Sequence, residues 1–102
     1  MINNTITILY DNLGEVYRLK GEIETAEKYY NKSLELSEEL GFKWQIAEVY
    51  CNLGQMYKVS NKKKSKEYLS SALELYTSLG AMREVEKVKE IMKIRESSIL
   101  NH

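Results

Sequence analysis

Asn12 and Asn52 stand forty residues apart in matching octets, YDNLGEVY at 10–17 and YCNLGQMY at 50–57. A carboxamide carries two N–H donors and one acceptor oxygen, which equips it to hold a polar ligand rather than to transform one. Asparagine is a poor residue for the middle of a helix, so its recurrence there needs a reason. One reason is contact with a bound ligand. The other is a hydrogen bond to a neighbouring helix that stabilises stacking. Asp11 and Glu15, one helical turn apart, place negative charge beside the first asparagine. They favour a basic or polar ligand, against the plainer reading of a solvated face. Cys51 and Gln55 hold the corresponding places beside the second. No histidine or evident cationic pocket accompanies Cys51 to lower its pKa, so it reads as a small structural residue.

The other chemistry-bearing residues do not assemble into a reaction centre. His102 is the one histidine and sits at the C-terminal end. There is no metal-ligand cluster, no glycine loop to cradle a phosphate and no nucleophile–base arrangement. The expectation is therefore no enzyme, no cofactor and no metal. Asn61-Lys62-Lys63-Lys64-Ser65-Lys66 is a basic cluster at a helix start, where positive charge opposes the helix dipole. An acidic partner or nucleic acid would suit it, but it is short and has no interleaved aromatics, which favours a solvated turn. Zero net charge and a pI of about 6.6 also argue against nucleic-acid binding.

The elements that must position these residues follow from a repeat. Five of the eight positions in the two octets are identical. A second block echoes at an offset of thirty-nine, with Tyr29 against Tyr68, Leu34-Glu35-Leu36 against Leu73-Glu74-Leu75 and Leu40-Gly41 against Leu79-Gly80. Self-similarity at such a period means stacked supersecondary units. Apolar residues at helical spacing predict five helices over about 4–19, 22–40, 43–59, 62–79 and 82–98. Helix one carries Ile6, Leu9, Tyr10, Leu13, Val16 and Tyr17 as its inner stripe, and helix three repeats it with Ile46, Val49, Tyr50, Leu53, Met56 and Tyr57. Helix five carries Val85, Val88, Ile91, Met92 and Ile99. Asn3, Asn4 or Thr5 can cap helix one. Gly21, Gly41 and Gly80 end helices one, two and four, and Asn61 is expected to end helix three in place of a glycine. Connections of two to four residues force antiparallel neighbours. Gly14 and Gly54, costly inside helices, imply close approach by the partner helix, with Ala26, Ala72, Ser33 and Ser65 as counterparts. Trp44, whose repeat counterpart is Asn4, is expected to plug the corner between helices two and three.

Composition sets the outer bounds. The chain has 102 residues and no proline, which suits one small domain of uninterrupted helices. No apolar run approaches the roughly 20 residues of a membrane helix, and no signal peptide is evident at the N-terminus. A single cysteine agrees with a reducing compartment, so the cytoplasm is expected. Net charge is zero but polarised: residues 1–41 carry −4 and the remainder +4. That polarity runs along the repeat axis and bears on self-association.

Tyr10, Leu13, Gly14, Tyr17, Gly21, Ala26 and Tyr30, echoed in part by Tyr50, Leu53, Gly54, Tyr57, Asn61, Ser65 and Leu69, resemble the tetratricopeptide repeat (TPR). The usual period is 34 residues; the period of about 40 here resembles the longer-helix subclass. The resemblance covers residues 6–80. Lys89, Met92 and Lys93 depart from it, so helix five resembles a terminal solvating helix. It implies an all-α, right-handed superhelical array of antiparallel helix pairs in a single domain spanning 1–102. Repeat one would cover about 4–41, repeat two about 43–80 and a capping helix about 82–98. In the family, first helices line a concave face that binds peptides. The resemblance thus implies a protein–protein or peptide-binding scaffold with a groove at Asp11, Asn12, Glu15 and Arg18 on helix one and Cys51, Asn52, Gln55 and Lys58 on helix three. Ile8, Leu19, Glu48 and Val59 flank them. Asparagines just before Leu-Gly hold ligand backbone in long-repeat relatives, which gives Asn12 and Asn52 that role. The lysine and asparagine clamp for acidic tails in some relatives is not matched by Asp11, Glu15, Cys51 and Gln55. Such arrays normally need about three repeats. With two and a cap, the alternative is a self-associating module or part of a longer array, with a homo-oligomer through the N-terminal hairpin.

Overall fold

The computed structural model describes residues 4–100, with side chains as far as Met92. Asn3, His102 and the side chains of Lys93 and Ile99 lie outside the described residues. Five helices follow one another: α1 (Thr5–Leu19), α2 (Ile23–Leu40), α3 (Lys43–Met56), α4 (Lys62–Ser78) and α5 (Met82–Leu100). Each packs on its neighbours in the chain, and α1 also meets α3. The protein is an all-α array of two helical hairpins closed by a fifth helix.

Local chemistry sets the boundaries. At Gly41, with φ of +76°, the Phe42 N–H reaches the Ser37 carbonyl and the Gly41 N–H reaches that of Glu38. This is the Schellman closure, whose left-handed residue glycine adopts without a Cβ penalty. Gly21 closes α1 in the same way through Tyr17 and Arg18. The third boundary corrects the sequence expectation. α3 stops at Met56, three residues early, and Asn61 is not a left-handed terminator: its φ is −151°. Its carboxamide oxygen instead accepts the Lys64 N–H at 3.0 Å. Asn61 is the N-cap of α4, a role for which its short acceptor side chain is suited.

The interior divides into two clusters. Ala26, Tyr30, Val49, Leu53, Met56 and Tyr57 join the first hairpin to α3. Ala47, Cys51, Leu69, Ala72, Tyr76, Ala81, Val85 and Val88 join α3 and α4 to α5. α3 contributes to both and is buried on two faces. On α1 the outer residues of the same stripe are left largely uncovered. Ile6, Leu9 and Val16 are 56%, 53% and 48% exposed, whereas their counterparts Val49 and Met56, opposite Leu9 and Val16, are 0% and 8% exposed. The buried positions of α1 are Thr7, Asp11 and Gly14, not the apolar stripe expected from the sequence. A first helix has one face for its own second helix and one for the preceding hairpin, and only the former is filled for α1.

Gly14 and Gly54 allow the close approach their recurrence implies, although the counterparts are larger than expected. A Cβ on Gly14 would lie 2.6 Å from the Tyr30 ring, and one on Gly54 would lie 2.6 Å from Leu69. Serines latch the hairpins beside these contacts: Ser33 Oγ donates to the Thr7 carbonyl and Ser65 Oγ to that of Gly54, both at 2.7 Å. Gly14→Ala should therefore destabilise the fold by about 1–3 kcal/mol, even though alanine is the better helix former by about 1 kcal/mol. Thermal melting monitored by circular dichroism checks the sign.

The tyrosines form one repeated figure. Tyr29 of α2 stacks on Tyr10 and Tyr17, with centroids 6.3 and 5.4 Å apart, and Tyr68 of α4 meets Tyr50 and Tyr57, both at 6.1 Å. Each second helix thus inserts a ring between two rings of its first helix, a spacing that adds to area burial. Trp44 is 48% exposed and meets Tyr76 edge-on at 5.7 Å, so its ring contact is with α4 rather than in the α2–α3 corner.

Candidate functional site

Where α1 crosses α3, a set of polar side chains closes on one buried carboxylate. Asp11 is 6% exposed. Its Oδ1 accepts from Asn52 Nδ2 at 2.8 Å and its Oδ2 accepts from Gln45 Nε2 at 3.3 Å. The same Gln45 nitrogen also donates to Glu48 Oε2 at 3.4 Å. Two carboxylates from different helices therefore accept from the two N–H donors of one neutral amide. Burial, opposed by the Asn52 hydrogen bond and assisted by the charges of Glu48 and Glu15, raises the Asp11 pKa to about 6. Near neutral pH this carboxyl is poised between its two states.

Tyr30 approaches the cluster from beneath. Its ring passes under α1 at Gly14, and the residue is fully buried. Its hydroxyl has no hydrogen-bond partner among the described residues. Burial raises its pKa, opposed by the nearby Arg18 guanidinium and assisted by Asp11 and Glu15. Arg18 thus lies close enough to act on that hydroxyl, although no bond of ordinary geometry joins them.

The polar seam continues toward α5. Cys51 is 5% exposed, accepts a 3.9 Å contact from Gln55 Nε2, and has its thiol pushed up by burial while Lys87 pulls it down. It is therefore a protonated, structural thiol. The Tyr76 hydroxyl is raised by burial and by Cys51, Glu48, Glu84 and Asp11. Among the described residues, no group of three or more His, Cys, Asp or Glu is placed to hold a metal ion, and no helix is long and apolar enough to cross a membrane.

The tetratricopeptide repeat model matches residues 4–78, spanning both hairpins. The chain belongs to the tetratricopeptide repeat family. No curated protein and no solved structure matches it. Tetratricopeptide repeats are protein-interaction scaffolds, and the match stops at the end of α4, leaving out α5, the helix whose sequence departs from the pattern.

Within these repeats the eight expected site residues separate into three groups. Asp11 and Asn52 meet in the α1–α3 seam, Asp11 buried and Asn52 half-buried, and Cys51 is buried beside them in the cluster that joins α3 and α4 to α5. Asn12 and Glu15 are exposed, and the Asn12 carboxamide makes no hydrogen bond among the described residues. Arg18, Gln55 and Lys58 are half-buried. The two asparagines therefore differ: Asn52 does the stacking work and Asn12 is free. Gln45 is the member that sequence reasoning missed. Its counterpart forty residues earlier is Thr5, so no echo singles it out. The lysine cluster is in part structural. Lys64 Nζ lies 3.7 Å from Glu27 and over the Tyr57 ring at 4.7 Å, and the Tyr57 hydroxyl donates to Glu27. A depression of about 310 Å³ lined by Ile46, Tyr50 and Leu75 lies between α3 and α4 and includes none of the eight.

Proposed function

We propose that the protein is a non-enzymatic interaction module that holds a peptide segment along the surface shared by α1 and α3. Asn12 carries this reading. It is a mid-helix asparagine, exposed, with no internal hydrogen bond, and so it contributes nothing to the fold that offsets its poor helix propensity. Its two donors and one acceptor match a peptide unit. Asn52, tied to Asp11, sets the surface beside it rather than the ligand itself. The test pans a phage-displayed peptide library against the full chain and remeasures the selected peptides on Asn12→Ala. Loss of one to two hydrogen bonds should weaken binding about tenfold, with the melting temperature slightly raised by the better helix propensity of alanine. Equal affinity for both chains would remove Asn12 from the site.

A second reading rests on the bare α1 flank. Ile6, Leu9 and Val16 present the stripe that α3 uses to dock on the first hairpin, and a second copy of this chain would cover it. Two such flanks bring together segments of like charge, so the association should strengthen with salt. Sedimentation velocity of the wild type beside Leu9→Glu decides this reading: a wild type that is monomeric at every concentration overturns it.

A further inference from the structure

We propose that the α1–α3 seam selects a lysine or arginine side chain of the bound peptide, with Glu15 and Glu48 at the rim and Asp11 at the floor. This rests on the reading of that surface as a peptide site and names the chemistry of its ligand.

Three observations carry it. First, Asp11 Oδ2 and Glu48 Oε2 both lean on the single neutral nitrogen of Gln45, at 3.3 and 3.4 Å. An amide dipole compensates two carboxylates poorly; a cation in its place would form charge-assisted bonds to both. Second, the fully buried Tyr30 hydroxyl makes no hydrogen bond of ordinary geometry among the described residues, and its proton senses Arg18 first and then Asp11 and Glu15. A hydroxyl can accept from an ammonium or guanidinium donor. Third, access is graded. Glu15 is exposed, Glu48 half-buried and Asp11 nearly enclosed, so a long alkyl stem can pass the rim and bring its charge over the floor.

The seam also couples recognition to pH. The groups acting on Asp11 are Glu15 from its own helix and Glu48 with the Asn52 and Gln45 amides from α3; Arg18 of α1 acts on the Tyr30 hydroxyl and Lys87 of α5 on the Cys51 thiol. None of the groups acting directly on Asp11 is a cation. Entry of a basic side chain supplies one and drives the Asp11 proton into solvent. Binding should therefore weaken as pH falls through the Asp11 transition near 6. Linkage gives a loss of about tenfold between pH 7.5 and 5.

The test selects peptides from an unbiased phage-displayed library on the full chain at pH 7.5 and follows the Asp11 side-chain carboxyl by carbon-13 NMR. Selected peptides should share a basic residue whose replacement by norleucine weakens binding by about tenfold or more. Adding such a peptide should move the Asp11 carboxyl transition below its free value. Asp11→Asn should abolish the pH dependence, and Glu48→Gln should weaken basic peptides while leaving the melting temperature in place. Peptides that bind without a fixed basic residue, or whose affinity ignores pH, overturn this proposal and leave the groove reading standing. A library that yields no binder overturns both.

Discussion

Leu53→Ala should destabilise the protein by about 2–5 kcal/mol, while Leu13→Ala, the same truncation forty residues earlier, should cost about 1 kcal/mol. The two leucines occupy the same place in the repeat. Leu53 is fully buried between α3 and the first hairpin, packed with Ala26, Tyr30, Val49 and Met56. Leu13 is half-buried on a flank whose neighbours Leu9 and Val16 face solvent. Removing Leu53 loses the transfer free energy of its methyl groups and leaves a cavity enclosed on all sides. Removing Leu13 loses less area and leaves a notch that water can fill. In a domain of this size each kcal/mol shifts the melting temperature by about 4–8 °C, so scanning calorimetry separates the two variants. Equal losses at both leucines would mean that the α1 flank is covered in solution, and a concentration-dependent melting temperature would then point to a second copy.

The second large effect has the opposite sign. Asp11→Asn should stabilise the chain at pH 7.5 by about 1–3 kcal/mol. The Asp11 carboxyl is pushed up to about 6 in the folded chain from the 3.8 of a free aspartate, chiefly because burial disfavours its charge. The folded state therefore binds this proton more tightly than the unfolded state does. The stability it confers is complete below 3.8 and is lost as pH rises through 6. The amide removes the charge, keeps an acceptor for Asn52 and gives up only the long bond from Gln45. Urea midpoints of the wild type should rise as pH falls from 7 to 4, and those of Asp11→Asn should stay nearly flat through that window. A wild type that loses stability steadily over the same range would contradict the raised value.

Most of the architecture could be read from the echo. The five helices, the glycine terminators at Gly21 and Gly41 and the close approach at Gly14 and Gly54 all follow from residue type and spacing. Backbone hydrogen bonding and steric freedom act locally, so the chain encodes them locally. The errors arose where a residue's role depends on its partner. Asn61 ends no helix because its carboxamide is within reach of the Lys64 N–H, which makes it a cap. Trp44 leaves the α2–α3 corner because its ring edge meets Tyr76. The stripe of Ile6, Leu9 and Val16 has the periodicity of a buried face, but periodicity records only that a face is apolar. A neighbouring element must be present for the face to be covered.

The candidate site was legible in outline. Asn12, Asn52, Asp11 and Glu15 stand out by type and position, and the structure brings Asp11 and Asn52 to 2.8 Å across forty-one residues. It separates the two asparagines, which the sequence presents as equivalents. Gln45, which bridges Asp11 to Glu48, has no counterpart in the first repeat and no motif around it.

The sequence by itself determined that this chain is a stack of helical hairpins and that it belongs with interaction repeats. Those conclusions rest on spacing and composition, which are properties of the chain before it folds. The tertiary structure alone decided which repeated residues remain free to meet a ligand, which carboxylate is buried and which apolar face is left open. Each of these depends on the distance between side chains on different helices, and that distance is fixed only when the hairpins pack.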